Sequence, residues 1–466
     1  RLLRLSAESA VAQLARGCGF SEGTEVQVAS CRARLVSLAC CGALGAGAMR
    51  GAARDPMLRC LLHCLFDHVL TVPGGEAASL ARQHLSTPEF SHVGALLTAA
   101  RTLAAHVPEG ADPELVAGEL GRFTSRLLVR HRGIDPAPAS DKRGTDAAEA
   151  ARTLLGWSFH VTVGLLTDAL ACAVRPETRA ALLDSLGNVQ FCRSSTPAYL
   201  SLLDHAVACA STDALVARAL AAALPPVQHL TSPHASGPPV WVADTALGCK
   251  MQLCMALVAA GAHLIPPRTL IERVAAVSLT FLQSPTPSTA HAAHVLMAAV
   301  LARAKEEDEA LCLAESCMRR ALAAYPKLTF QDDLTGTVAS VMDALHGKNS
   351  AQLGIISQLA GKSSELSHEN SDKSVAAANH LLDLLCSALA VVDFPLLLQA
   401  MDMVKEVLMQ IPQHRRSGAT VKLQAMISQC NDYARKMPMV EWFLRMQSAH
   451  DSVTGDSRSL SLLSKL

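Results

Sequence analysis

The sequence predicts an all-α fold: an elongated helical-repeat solenoid of the HEAT or armadillo kind. Three observations predict it. Apolar residues recur three and four apart along most of the chain, the spacing that gathers them on one face of a helix. Proline and glycine punctuate the pattern about every twenty residues, where helices start and stop. Strand signals are missing: valine-rich alternation is short, and no Asn-Gly or Asp-Gly turn separates alternating apolar runs. Short helices joined by short turns over 466 residues suggest stacked helix pairs of roughly forty residues each.

The elements follow in order. Pro56 opens a helix carrying Leu58, Leu61, Leu62, Leu65 and Val69, and Pro73-Gly74-Gly75 ends it. Pro88 starts the next, with Val93, Leu96, Leu97 and Leu103. Asp112-Pro113-Glu114 supplies a cap residue, then proline at the first helical position, where its missing N–H costs nothing. Arg175-Pro176-Glu177 and Pro266-Pro267 serve in the same way, and Pro395 and Pro412 bracket Leu396–Ile411. Ala310–Pro326 has the spacing of half a tetratricopeptide unit, but a single such stretch reads as an ordinary amphipathic helix. Arg132–Asp146, His229–Pro239 and the polar Gly361–Ser374 read as loops, the last as a flexible linker. The expected blocks are therefore 1–131, 147–360 and 375–447, followed by a flexible tail over 448–466.

Composition narrows the function. Half the residues are hydrophobic and the mean hydropathy is +0.25, which excludes a disordered chain. Forty-one basic residues balance forty-one acidic ones, so no excess charge points to nucleic acid. Aromatics make up 3%, leaving few platforms on which bases or sugars could stack. No P-loop, G-x-S-x-G or strand-borne G-x-G-x-x-G occurs, and Gly42–Gly47 reads as close helix packing. The chain reads as non-enzymatic and without a cofactor. The fifteen cysteines are odd in number, and Cys40, Cys41, Cys172, Cys209, Cys254, Cys312 and Cys386 sit in apolar helical patterns. They read as free thiols packed as small hydrophobes in a reducing or thiol-tolerant compartment.

Two clusters carry metal-ligand residue types. Cys60, His63, Cys64, Asp67 and His68 share one helix face, and His291 and His294 stand three apart. One straight helix cannot close a tetrahedral site, and no second cluster has a matching spacing, so both read as structural and no metal is expected. The apolar runs Leu35–Met49, Thr153–Thr167 and Met251–Ile265 are each about fifteen residues, short of the ~20 that a membrane crossing needs. No transmembrane span is expected. Lys436–Met446 concentrates Met439, Trp442, Phe443 and Met446, adaptable apolar side chains of the kind that bind partner helices. It is a candidate partner patch, although a helix buried against its predecessor accounts for it as well.

The chain ends in Ser464-Lys465-Leu466. A terminal carboxylate can be held by amide or guanidinium donors, Leu466 offers an apolar plug, Lys465 a charge, and Ser464 is small. By average residue usage this tripeptide ends a chain roughly once in a few thousand. It resembles the type 1 peroxisomal targeting signal. The resemblance covers only the tail and implies that Ser464, Lys465 and Leu466 bind the tetratricopeptide domain of the import receptor. It also implies a peroxisomal location, or a glycosomal one in a kinetoplastid. Joined to a large helical chain without enzyme motifs, the tail is similar to that of the intraperoxisomal import peroxins, peroxin 8 in fungi. That resemblance implies a scaffold on the lumenal face of the membrane, contacting the cargo receptor and bridging the docking and RING-finger complexes. A peroxisomal matrix enzyme of an unrecognised helical type, or a soluble helical-repeat adaptor with an accidental tail, are the alternatives.

Overall fold

The computed structural model describes residues 58, 61–70, 85–86, 88–91, 93–105, 113–131, 142–192, 196–227, 245–304, 309–369, 371–411 and 413–454. Among them there is no strand, and the fold is all-α. The chain divides into two compact units. One holds residues 1–224 and 229–264, the other 225–228 and 265–466.

The first unit opens with a π-helical turn, Cys64–Val69, and continues through α1 (Pro88–Ser91), α2 (Val93–Ala105), α3 (Pro113–His131) and α4 (Lys142–Cys172). It ends with α5 (Pro176–Asn188), α6 (Pro197–Thr212), α7 (Ala214–Ala223) and α8 (Thr245–Gly261). Its helix starts match their chemistry. Pro113 and Pro176 occupy the first turns of α3 and α5. The Asp213 carboxylate accepts the N–H groups of Leu215 and Val216, capping α7. Helices two apart along the chain pack together, α3 on α5 and α4 on α6, while α8 also lies against α5 and α3. A polar seam joins these last three. Lys250 Nζ donates to Asn188 Oδ1 at 2.8 Å and Asp184 Oδ1 at 2.7 Å, and the Asn188 amide donates to Thr124 and Ser125. Arg101 grips Asp168 through Nε and Nη2, tying α2 to α4.

The second unit begins with a helical turn, Pro267–Thr269, and a π-helical stretch, Leu270–Val274. Then come α9 (Ala275–Phe281), α10 (Pro287–Ala304), α11 (Ala310–Ala324), α12 (Gln331–Ala344) and α13 (Asn349–Ser367). They are followed by α14 (Asp372–Val391), α15 (Leu397–Gln410), α16 (Gln413–Gln429) and α17 (Tyr433–Thr454). Every helix here packs on the helix two further along: α9 on α11, α10 on α12, and so on to α15 on α17. Neighbours pair across the two resulting rows, α9 with α10, α11 with α12, α13 with α14 and α15 with α16.

Polar staples lock successive turns of this ladder. Gln352 is fully buried, its amide donating to Leu345 O and its Oε1 accepting the Asp393 N–H. The Asp393 carboxylate in turn accepts the Gly347 N–H at 2.9 Å and meets His346 Nδ1 at 2.9 Å. Gly347 holds φ at 79°, a conformation that a side chain would strain. Arg435 of α17 donates to the carbonyls of Leu389 and Val392, closing the end of α14. Gln352→Leu removes both amide bonds; it leaves the Asp393 N–H unpaired, while Leu345 O keeps the Lys348 N–H at 2.9 Å. The expected loss is about 2 kcal/mol in urea unfolding, at roughly 1–3 for an orphaned group.

The division differs from the expected blocks. The Ser-rich 361–374 is no linker: α13 runs through to Ser367, α14 begins at Asp372, and Ser363 is fully buried. Two of its serines satisfy their hydroxyls on helix carbonyls, Ser367 on Ser363 O at 2.7 Å and Ser363 on Ala378 O at 3.4 Å. Small side chains with internally satisfied hydroxyls suit a close helix interface as well as a loop. The boundary lies instead within the expected block 147–360, beside Pro225-Pro226 and Pro266. Helix α17 extends to Thr454, six residues past the expected start of the tail. Of the expected loop Arg132–Asp146, residues 142–146 instead form the first turn of α4. Its residues 132–141, the expected loop over 229–239, the stretches Leu35–Met49 and Gly42–Gly47, and Cys40, Cys41 and Cys60 lie outside the described residues.

Candidate interaction surfaces

The methionine and aromatic side chains of α17 point inward. Met439 and Phe443 are fully buried and Trp442 is 8% exposed, while Met446 is half-buried. Spacing of three and four places Met439, Trp442 and Phe443 on one helix face, and α17 lays it on α15 and α16. The indole N–H is satisfied by Asp402 Oδ1 of α15 at 2.9 Å. The expected partner patch is therefore corrected: these side chains are core of the last helices, and the polar handle of the tryptophan finds its partner inside the chain. Ser464, Lys465 and Leu466 lie outside the described residues.

The two histidines of α10 divide. His291 is exposed, and its Nδ1 meets the buried Asp333 carboxylate of α12 at 2.6 Å. His294 is 4% exposed, its Nδ1 2.7 Å from Thr337 Oγ1 and its Nε2 without a partner among the described residues. Burial pushes the His294 imidazole down to about 4, against an opposing pull from Asp333 and with a smaller push from His291. The ring is thus neutral in the fold and protonates readily once unfolded. Stability from this site is complete above pH 6.5, falls as pH drops toward 4, and levels off below. The loss is about 3 kcal/mol at ~1.4 per unit. His294→Leu is expected to flatten that limb of the stability profile relative to the parent chain.

No group of three or more metal-ligand side chains assembles among the described residues. His63 is exposed, and the side chains of Cys64, Asp67 and His68 lie outside the described residues. Cys209, Cys254, Cys317 and Cys386 are buried, Cys172 is half-buried and Cys312 exposed. Burial holds the Cys254, Cys317 and Cys386 thiols up at about 12, so these are protonated packing groups and not nucleophiles.

Among the described residues, three helical stretches are long and apolar enough to cross a membrane: Glu149–Cys172, Ala246–Leu264 and Asp372–Val391. The first two contain most of the runs Thr153–Thr167 and Met251–Ile265 read from sequence, lengthened by helical continuity through flanking polar positions; the third, Asp372–Val391, was not among those runs. Within their units, 56% of each window is buried against the rest of the protein.

One concavity stands out in the second unit. A groove of about 260 Å³ runs between α12 and α14. Val338, Met342, Leu384 and Ala388 form its buried floor, and Val391, 55% exposed, stands at one end. Short side chains, Thr335 and Ala339 on one wall and Ser387 on the other, keep it open. At its head Thr335 Oγ1 meets His380 Nε2 at 3.1 Å, and the other ring nitrogen of His380 meets Tyr325 OH at 3.0 Å. Burial lowers the His380 pKa, partly offset by Asp383 and Asp332. No sequence signal singled out this groove, because its walls are ordinary helix positions from segments about fifty residues apart.

Compared with family models and with curated proteins, the chain matches none.

Proposed function

We propose that the chain is a non-enzymatic helical-repeat scaffold of the HEAT or armadillo kind, whose surfaces hold other proteins. The observation that carries this reading is the ladder of the second unit, in which each helix packs on the one two further along. Stacked pairs of this sort bury a continuous core through nearest neighbours and leave long rows of helix faces for binding. In this reading the three apolar helices are packed elements and not spans. Where Leu466 carries the terminal carboxylate, Ser464-Lys465-Leu466 serves as a peroxisomal address read by a tetratricopeptide receptor. The scaffold then works inside the organelle, in the manner of the import peroxins, between the cargo receptor and the docking and RING-finger complexes.

The test is localisation with interaction. A fluorescent fusion with a free C-terminus is expected in peroxisomes, with the receptor and membrane import proteins co-purifying. The same fusion without Ser464–Leu466 is expected to stay outside. Unchanged location after deletion removes the peroxisomal assignment. Import without any import protein in the purified material removes the import role.

A further inference from the structure

We propose that the groove between α12 and α14 receives a basic amphipathic helix from a partner protein, one that carries leucine-sized anchors spaced three and four apart between lysines or arginines. This rests on the scaffold reading and names the occupant of one of its faces.

The chemistry of the groove selects the occupant. Its volume of about 260 Å³ is below the ~300–1,000 Å³ usual for small-molecule sites, and its floor is aliphatic, which suits side-chain anchors. Its lining extends from Thr335 to Asp343 on α12, about 12 Å at 1.5 Å per residue, or two turns of a facing helix, with His346 in the turn beyond. The backbone N–H groups along both walls are committed to their own helices, so an extended peptide would find no ladder of main-chain partners. A helical one brings its backbone already satisfied and needs only an apolar face. Gly336, on the exposed face of α12, has nothing within 4 Å of where a Cβ would stand, so a facing helix can come close there.

Charge sets the flanks. Around the lining stand the carboxylates of Asp332, Asp343, Asp383 and Asp393 and the ammonium group of Lys348, and Lys422 reaches Asp383 from α16. Lys422 is held by Asp383 at 2.7 Å, and Asp393 by the turn that carries His346 and Gly347. Four carboxylates against two ammonium groups give the rim an excess of negative charge, which complements a basic helix and disfavours an acidic one.

The test uses the full chain and three labelled synthetic peptides of fourteen residues at physiological salt, read by fluorescence anisotropy. The first is a leucine–lysine amphipathic helix, the second its leucine–glutamate counterpart, and the third the first with a central proline. Saturable binding is expected for the leucine–lysine helix alone. Ala339→Trp, which fills the groove, and the double variant Asp332→Lys/Asp343→Lys, which reverses the rim, are each expected to weaken it tenfold or more. Circular dichroism checks that each variant is folded, and Ser387→Arg blocks the opposite wall should Ala339→Trp fail to fold. Absence of saturation, equal binding of the acidic or proline-broken peptide, or equal binding by the variants each overturns the assignment. Removal of residues 413–466 separates this from the scaffold reading. A repeat array loses only the helicity of α16 and α17, whereas collapse of the whole second unit overturns the repeat architecture whatever the peptides do.

Discussion

Gly261→Ala is expected to destabilise the first unit by about 3 kcal/mol, although alanine is the better helix former. Gly261 is the last residue of α8, where it crosses α6 and α7. A Cβ there would stand 2.5 Å from Ala210 O and 2.8 Å from Ala217 Cβ. The first neighbour is backbone, so relief requires shifting a helix and not a side chain. Overpacking of this kind costs about 1–3 kcal/mol and occasionally more, against a propensity gain of at most ~1. Hydrogen exchange resolved by peptide gives the reading: amides of α6 to α8 should exchange about a hundredfold faster, with those of α13 to α15 unchanged. Gly156→Ala in α4 is the control. Nothing lies within 4 Å of its Cβ position, so the change should be neutral or stabilising. Equal behaviour of the two variants would mean that α8 does not approach α6 this closely.

Phe443→Ala should cost about 4 kcal/mol, the usual range for emptying a fully buried aromatic site being ~3–5. The value separates two readings of the same segment. On an exposed partner patch, truncation would leave stability within about half a kcal/mol and weaken only binding. In the core of the last helices it opens a cavity between α17 and the helices beneath, and the urea midpoint of the second unit falls. Trp442 reports locally, since its indole is anchored to Asp402 and its fluorescence follows the detachment of α17. Tyr433→Ala is the comparison, at 73% exposure. It should leave the midpoint in place.

Much of the local architecture was legible in the chain. Pro88, Pro113 and Pro176 each stand at the start of a helix, because these are short-range effects of a fixed φ and a missing N–H. The split of His291 and His294 into an exposed and a buried ring was also legible, from the apolar run that follows them. Gly361–Ser374 was read as a linker from its polarity, and Lys436–Met446 was left between a partner patch and a helix buried against its predecessor. Whether a serine or a tryptophan faces water depends on what packs opposite. Ala378 O satisfies Ser363, and Asp402 satisfies Trp442, each across to another helix.

The sequence by itself determined that the chain is helical, where several helices begin, and that its interior is aliphatic. These follow from residue spacing and composition, which act over one or two turns. Tertiary structure alone decided that 361–374 continues two helices, that the chain divides near residue 264, and that Met439, Trp442 and Phe443 face inward. It also decided that Thr335 and Ala339 come to face Ser387 across an open groove. Those outcomes rest on contacts between segments about forty or more residues apart in several cases. Such a contact is set by which helix lies opposite, and no local pattern encodes that.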